Sequence, residues 1–103
     1  MRAGKVDDNQ RSVVMALRAI GCLVHHTHEA GGGFPDLLVG YRGRWLPVEI
    51  KDGSKPPSAR KLTPRQVIWH DKASIHGLPV LVVTSGADAI EKVRAECKAK
   101  NEK

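Results

Sequence analysis

Asp36, Glu49 and Lys51 are charged residues set in or beside apolar, strand-forming sequence. Asp36 stands just ahead of Leu37-Leu38-Val39, and Glu49 and Lys51 alternate with Val48 and Ile50. A charge in such a setting costs free energy unless it has a partner or a task. Two carboxylates with a backbone carbonyl nearby suit a hard cation, Mg2+ or Mn2+, rather than zinc. Such an ion lowers the pKa of a bound water and stabilises charge on a phosphate. Lys51, two residues beyond Glu49, can orient that water or neutralise a developing pentavalent phosphorus centre. The chemistry this describes is metal-assisted phosphodiester hydrolysis. Taken singly, each residue is a solvated position on a strand; their combination in one place is what favours chemistry.

That combination depends on a hairpin. Taking Tyr41-Arg42 as its two-residue tip, Val39 faces Arg44, Leu37 faces Leu46 and Asp36 faces Pro47. Side chains alternate with period two, so Asp36, Pro47, Glu49 and Lys51 share one face. Asp36 and Glu49 are then diagonal neighbours, close enough to hold one cation between them.

The remaining elements follow from periodicity. Asp7 to Ile20 is predicted as a helix with Val6, Gln10, Val13, Leu17 and Ile20 on one stripe, stopped by Gly21. Strands are predicted from Cys22, over Phe34–Gly40, over Arg44–Lys51 and over Leu78–Ser85, the last buried on both faces. Asp52 to Lys61 is a loop. Thr63, Pro64 and Gln66 have the order of an N-cap, a first helical residue and a capping-box partner for a helix ending near Ile75. Ser85 and Asp88 cap a third helix with Ile90, Val93 and Cys97 on its stripe, and the charged tail from about residue 98 is expected to fray. The expected architecture is α/β, in the order α-β-β-β-α-β-α, one mixed sheet flanked by helices in a single domain spanning residues 1–103.

Composition narrows the partner. The 103 residues carry 17 Lys+Arg against 11 Asp+Glu, a formal net charge of +6, which favours a polyanion and nucleic acid first. Lys55, Arg60, Lys61 and Arg65 flank the loop and the second helix's N-terminus, where positive charge and free N–H groups hold phosphate. The alternative for these four is a solvated basic loop. Among His25, His26 and His28, a phosphate contact from His28 is favoured over metal binding, since no third ligand is evident. Gly31–Gly33 either allows a close approach to DNA or metal or is a simple turn. Trp69, with Ile68 and Ile75, is either core or a dimer face. Cys22 and Cys97 form no CxxC pair and read as buried free thiols. No stretch has membrane-spanning length and no signal peptide opens the chain, so a soluble, cytoplasmic protein is expected.

Pro35-Asp36, twelve intervening residues and Glu49-Ile50-Lys51 resemble the PD-(D/E)XK nuclease motif. More narrowly, "GGGFPDLLVG", "VEIKDG" and "LTPRQ" resemble the VRR-NUC (virus-type replication-repair nuclease) family, in its small stand-alone phage and bacterial form. The resemblance implies that Asp36, Glu49 and the Ile50 carbonyl bind Mg2+ or Mn2+, that Lys51 is catalytic, and that Gln66 lies near the active site. Relatives often carry a first-helix glutamate; here only Asp7, Asp8, Asn9 and Gln10 are available, and Asp7 is the expected substitute. It also implies a metal-dependent DNA endonuclease acting on branched or structured duplex, resembling Holliday junction resolvases and so expected to be a homodimer, in a bacterial or phage-infected cell. The alternatives are a flap or nicking nuclease and a catalytically silent DNA-binding module.

Overall fold

The computed structural model describes residues 8–101. Helix α1 (Asp8–Ala19) precedes strands β1 (Leu23–His26), β2 (Leu37–Tyr41) and β3 (Arg44–Ile50); helix α2 (Pro64–Ile75), strand β4 (Leu81–Val83) and helix α3 (Gly86–Asn101) complete the order. The four strands lie in the order β1-β2-β3-β4. The first two pairings are antiparallel and β3–β4 is parallel. The architecture is the expected mixed α/β sheet flanked by helices.

One face of the sheet forms the core. Val24, Leu37, Val39, Leu46, Val48 and Val83 pack with Val13 and Leu17 of α1 and Val93 and Cys97 of α3. Cys22 and Cys97 are buried free thiols. The alternate residues face α2, where Leu38, Trp45 and Pro47 line a cleft with Trp69 and Ala73. Trp69 meets Phe34 edge-on with ring centroids 4.8 Å apart, while Ile68 and Ile75 are exposed.

Helices α1 and α2 stop in the same way. Cys22 N–H reaches Leu17 O and Gly21 N–H reaches Arg18 O after α1. Leu78 N–H and Gly77 N–H do the same to Ala73 O and Ser74 O after α2. Both are Schellman closures. Helix α3 begins as expected, with Asp88 N–H on Ser85 Oγ at 3.0 Å and Thr84 N–H on Asp88 Oδ2 at 2.9 Å.

The hairpin and the fourth strand differ from expectation. The hairpin tip is Arg42-Gly43, not Tyr41-Arg42, because Tyr41 pairs with Arg44. Both tip residues have positive φ, 50° and 78°, the geometry of a turn whose twist matches its strands and which favours glycine at the second position. Every partner moves by two, so no side chain changes face. Leu37 pairs with Val48, and the next step sets Asp36 opposite Glu49 rather than diagonal to it.

Strand β4 covers only Leu81–Val83, since Leu78 serves the α2 closure and Pro79 has no N–H. Only Val83 is buried there, because β4 is an edge strand. The loop after β3 contains a single 3-10 turn, Pro57–Arg60. Helix α3 extends to Asn101. Val6 and Asp7 lie outside the described residues.

Candidate active site

The site is built where β2 and β3 leave the hairpin ladder. Thr27 shapes the entry to β2: its N–H donates to Asp36 O at 2.9 Å and its Oγ1 to Pro35 O at 2.8 Å. Asp36 Oδ2 then accepts the Ile50 N–H at 2.8 Å, tying the acid to the opposite strand. Glu49 is almost wholly enclosed, at 1% relative exposure. Burial first, then the hydrogen bond and charge of Asp36, push its carboxyl up to about 8, against a smaller opposing pull from Lys51. Two acids therefore crowd one pocket, which favours a proton held between them.

Helix α2 supplies the other side. Thr63 is its N-cap, accepting Gln66 N–H, and Gln66 Oε1 accepts Thr63 N–H at 2.9 Å, so the expected capping box is present. The same side chain also reaches the acids. Gln66 Nε2 donates to Glu49 Oε2 at 2.9 Å, and Gln66 Oε1 accepts Lys51 Nζ at 3.0 Å. The capping and active-site placements, alternatives in the sequence, coexist in one residue.

Gly33 seats this helix against the glycine loop. It has φ 87°, and a β-carbon there would collide with the Arg65 carbonyl oxygen. Its lack of a side chain thus permits a close approach to α2.

His70, one turn beyond Gln66, was not evident from sequence. Its Nε2 lies 3.8 Å from Glu49 Oε1. Burial and then Lys51 lower its pKa, with Asp71 opposing. Burial biases His70 toward its neutral form and Glu49 toward its protonated form, which together disfavour an ion pair at this contact. The i, i+4 spacing from Gln66 was the available clue.

From α1, Asn9 Nδ2 donates to Lys51 O at 3.0 Å and Gln10 Nε2 meets His26 Nδ1 at 3.2 Å. Asp8 is exposed and pairs with Arg11. The structure thus brings Asp36, Glu49, Ile50, Lys51 and Gln66 together. Asp7 lies outside the described residues.

Lys55, Lys61 and Arg65 are exposed, and Arg60 is half-buried with its Nε shielded and unpartnered among the described residues. Both ring nitrogens of His28 are likewise shielded and unbonded, with Nε2 3.9 Å from Glu29 Oε2. Among the described residues, no three His, Cys, Asp or Glu side chains form a metal cluster, and no helix is long and apolar enough to cross a membrane.

The donor set fits a hard cation. Glu49 Oε1 is buried without a hydrogen-bond partner among the described residues, beside a second carboxylate whose proximity raises its pKa. A divalent ion would satisfy the first and relieve the second.

No family model matches the chain, and no curated protein matches it. A solved structure described as a VRR_NUC domain is similar to it, with 31% sequence identity and a TM-score of 0.62. The likeness covers 82% of this chain and 89% of that one. Identity at this level, over nearly all of a structure with the same architecture, makes the chain a member of the VRR-NUC family.

Proposed function

We propose that the chain is a Mg2+- or Mn2+-dependent endonuclease that hydrolyses phosphodiester bonds in branched or structured DNA. The observation that supports this most is Asp36 within hydrogen-bonding reach of Glu49, with Lys51 tied beside them through Gln66. Asp36, Glu49 and the Ile50 carbonyl would hold the cation. When bound, it supplies charge neutralisation for the phosphate and acidifies a coordinated water.

The chain's own residues do the rest. Asp36 is anchored to Ile50 N–H through Oδ2 and stands within hydrogen-bonding reach of Glu49. Gln66 holds Lys51 Nζ within the site, so the ammonium is placed to orient the attacking water and to stabilise charge on the phosphate oxygens. The water oxygen gives up a proton to solvent as it bonds to phosphorus, the phosphorus–oxygen bond to the leaving sugar breaks, and the leaving oxygen takes up a proton from a solvent water. Lys55, Arg60, Lys61 and Arg65, with His28, are the residues assigned to the DNA backbone, where contacts position the duplex without reading its sequence.

Branched substrate and a homodimer belong together in this reading. One site cuts one strand, and two copies related by a two-fold axis would cut paired strands of a four-way junction. Its place of work is the cytoplasm of a bacterial or phage-infected cell. Labelled junction, flap, single strand and plain duplex, each with Mg2+, Mn2+ or EDTA, test the activity, and light scattering tests the assembly. Cleavage that survives EDTA, or no cleavage of any DNA, overturns the proposal. A monomer that nicks strands independently reduces it to a flap or nicking nuclease.

A further inference from the structure

Glu49 presents two oxygens to α2, and the helix answers them unequally. Oε2 accepts Gln66 Nε2 at 2.9 Å. Oε1 has no hydrogen-bond partner among the described residues, and neither has His70 Nε2, although both atoms are buried and stand 3.8 Å apart. A buried polar atom without a partner forfeits the hydration it had in the unfolded chain, so two orphans facing each other call for an explanation. Gln66 and His70 are four residues apart on one helix face. The Trp69 ring lies edge-on to the His70 ring at 6.3 Å between centroids.

We propose that His70 is a positioning residue for Glu49, donating from Nε2–H to Oε1 when the carboxylate is ionised and engaged by the cation. This rests on the metal-nuclease reading above and assigns to it a residue outside the metal-binding set. The contact must close by about 1 Å to reach hydrogen-bond length, a side-chain adjustment. Each carboxylate oxygen has two lone pairs, so Oε1 accepts from His70 and still faces a cation. Helix α2 then grips both oxygens of Glu49, one through Gln66 and one through His70. Carboxylates that bind metals are themselves held by such outer hydrogen bonds, whose loss weakens metal affinity.

The test is titration of Mn2+ and of Mg2+, without DNA, into the wild-type protein, His70→Ala and His70→Gln. Calorimetry supplies the affinity, and thermal melts confirm folding. His70→Ala is expected to bind both ions about 10- to 100-fold more weakly. His70→Gln, which returns an N–H donor near the Nε2 position, is expected to recover most of that loss. His70→Leu replaces the alanine variant if that one fails to fold.

Equal affinities in wild type and the alanine or leucine variant overturn the inference while leaving the metal-nuclease reading intact. A loss confined to Mn2+ also overturns it, by making His70 a direct ligand, because an imidazole nitrogen favours transition ions over Mg2+. Wild-type protein that binds neither ion overturns both readings.

Discussion

Asp36 accepts the Ile50 amide at 2.8 Å, so one acid of the site is bonded to the backbone of the strand that carries the other. The bond makes Asp36 structural as well as chemical, and the two roles separate by substitution. Asp36→Asn keeps an acceptor for Ile50 N–H and is expected to fold like the wild type with cleavage at background. Asp36→Ala leaves that amide unpaired and is expected to cost about 1–3 kcal/mol, less whatever is regained by relieving Glu49. Urea unfolding and turnover on the same preparations check both.

Gln66 divides in the same manner. Gln66→Ala is expected to cost about 1 kcal/mol, the scale of a helix cap, and to lower turnover about 10- to 100-fold, the scale of an outer-sphere partner. Gln66→Glu keeps an acceptor for Thr63 N–H and Lys51 but sets a third carboxylate against Glu49. It is expected to preserve α2 and still lose activity, which circular dichroism and a cleavage assay resolve.

Gly33→Ala introduces a β-carbon against the Arg65 carbonyl and places it at positive φ. The first turn of α2 must retreat, carrying Gln66 away from Glu49. The variant is expected to show a lower melting temperature and a larger fractional loss of cleavage than Gly31→Ala, whose added carbon meets nothing nearby.

Metal-free stability is expected to depend on pH through Glu49. Its carboxyl holds a proton up to about 8 in the fold and releases it near 4.5 when unfolded. Between those values the folded state binds more protons, so stability falls as pH rises and levels off above about 8. His70, lowered from 6.5, adds the opposite slope below that value. Unfolding above about pH 7.5, where an unfolded histidine is also largely neutral, therefore isolates Glu49, and Glu49→Gln is expected to remove the slope. Mn2+ competes with the same proton, so its affinity is expected to rise over this range.

Replacing Lys55, Lys61 or Arg65 by alanine is expected to weaken DNA binding equally for all sequences. Each lost phosphate contact lowers the slope of log affinity against log salt by about one. Fluorescence anisotropy between low and moderate salt measures it, and an unchanged slope identifies a solvated side chain.

What was legible in the sequence was what local chemistry decides. Thr63, Pro64 and Gln66 announced the start of α2 because a cap is made within four residues. The shared face of Asp36 and Glu49 survived a two-residue error in the hairpin, since only odd slips exchange faces. The error itself arose because the tip depends on which neighbours adopt positive φ, and Arg42 gives no strong sign that it will. His70 was missed for a different reason. Its meaning depends on α2 lying over β3, a tertiary fact, and the same holds for the Phe34–Trp69 contact.

Helix α2 carries two of the side chains that reach Glu49, Gln66 and His70, yet it buries a single residue, Ala73. Helices α1 and α3 are instead sunk into the core through Val13, Leu17, Val93 and Cys97. An element with so little enclosed apolar surface opens locally at lower free energy than the sheet beneath it. Its amides should exchange with deuterium ahead of those in β2 and β3. On heating, the protein should stop working at a temperature where most of its fold is still intact.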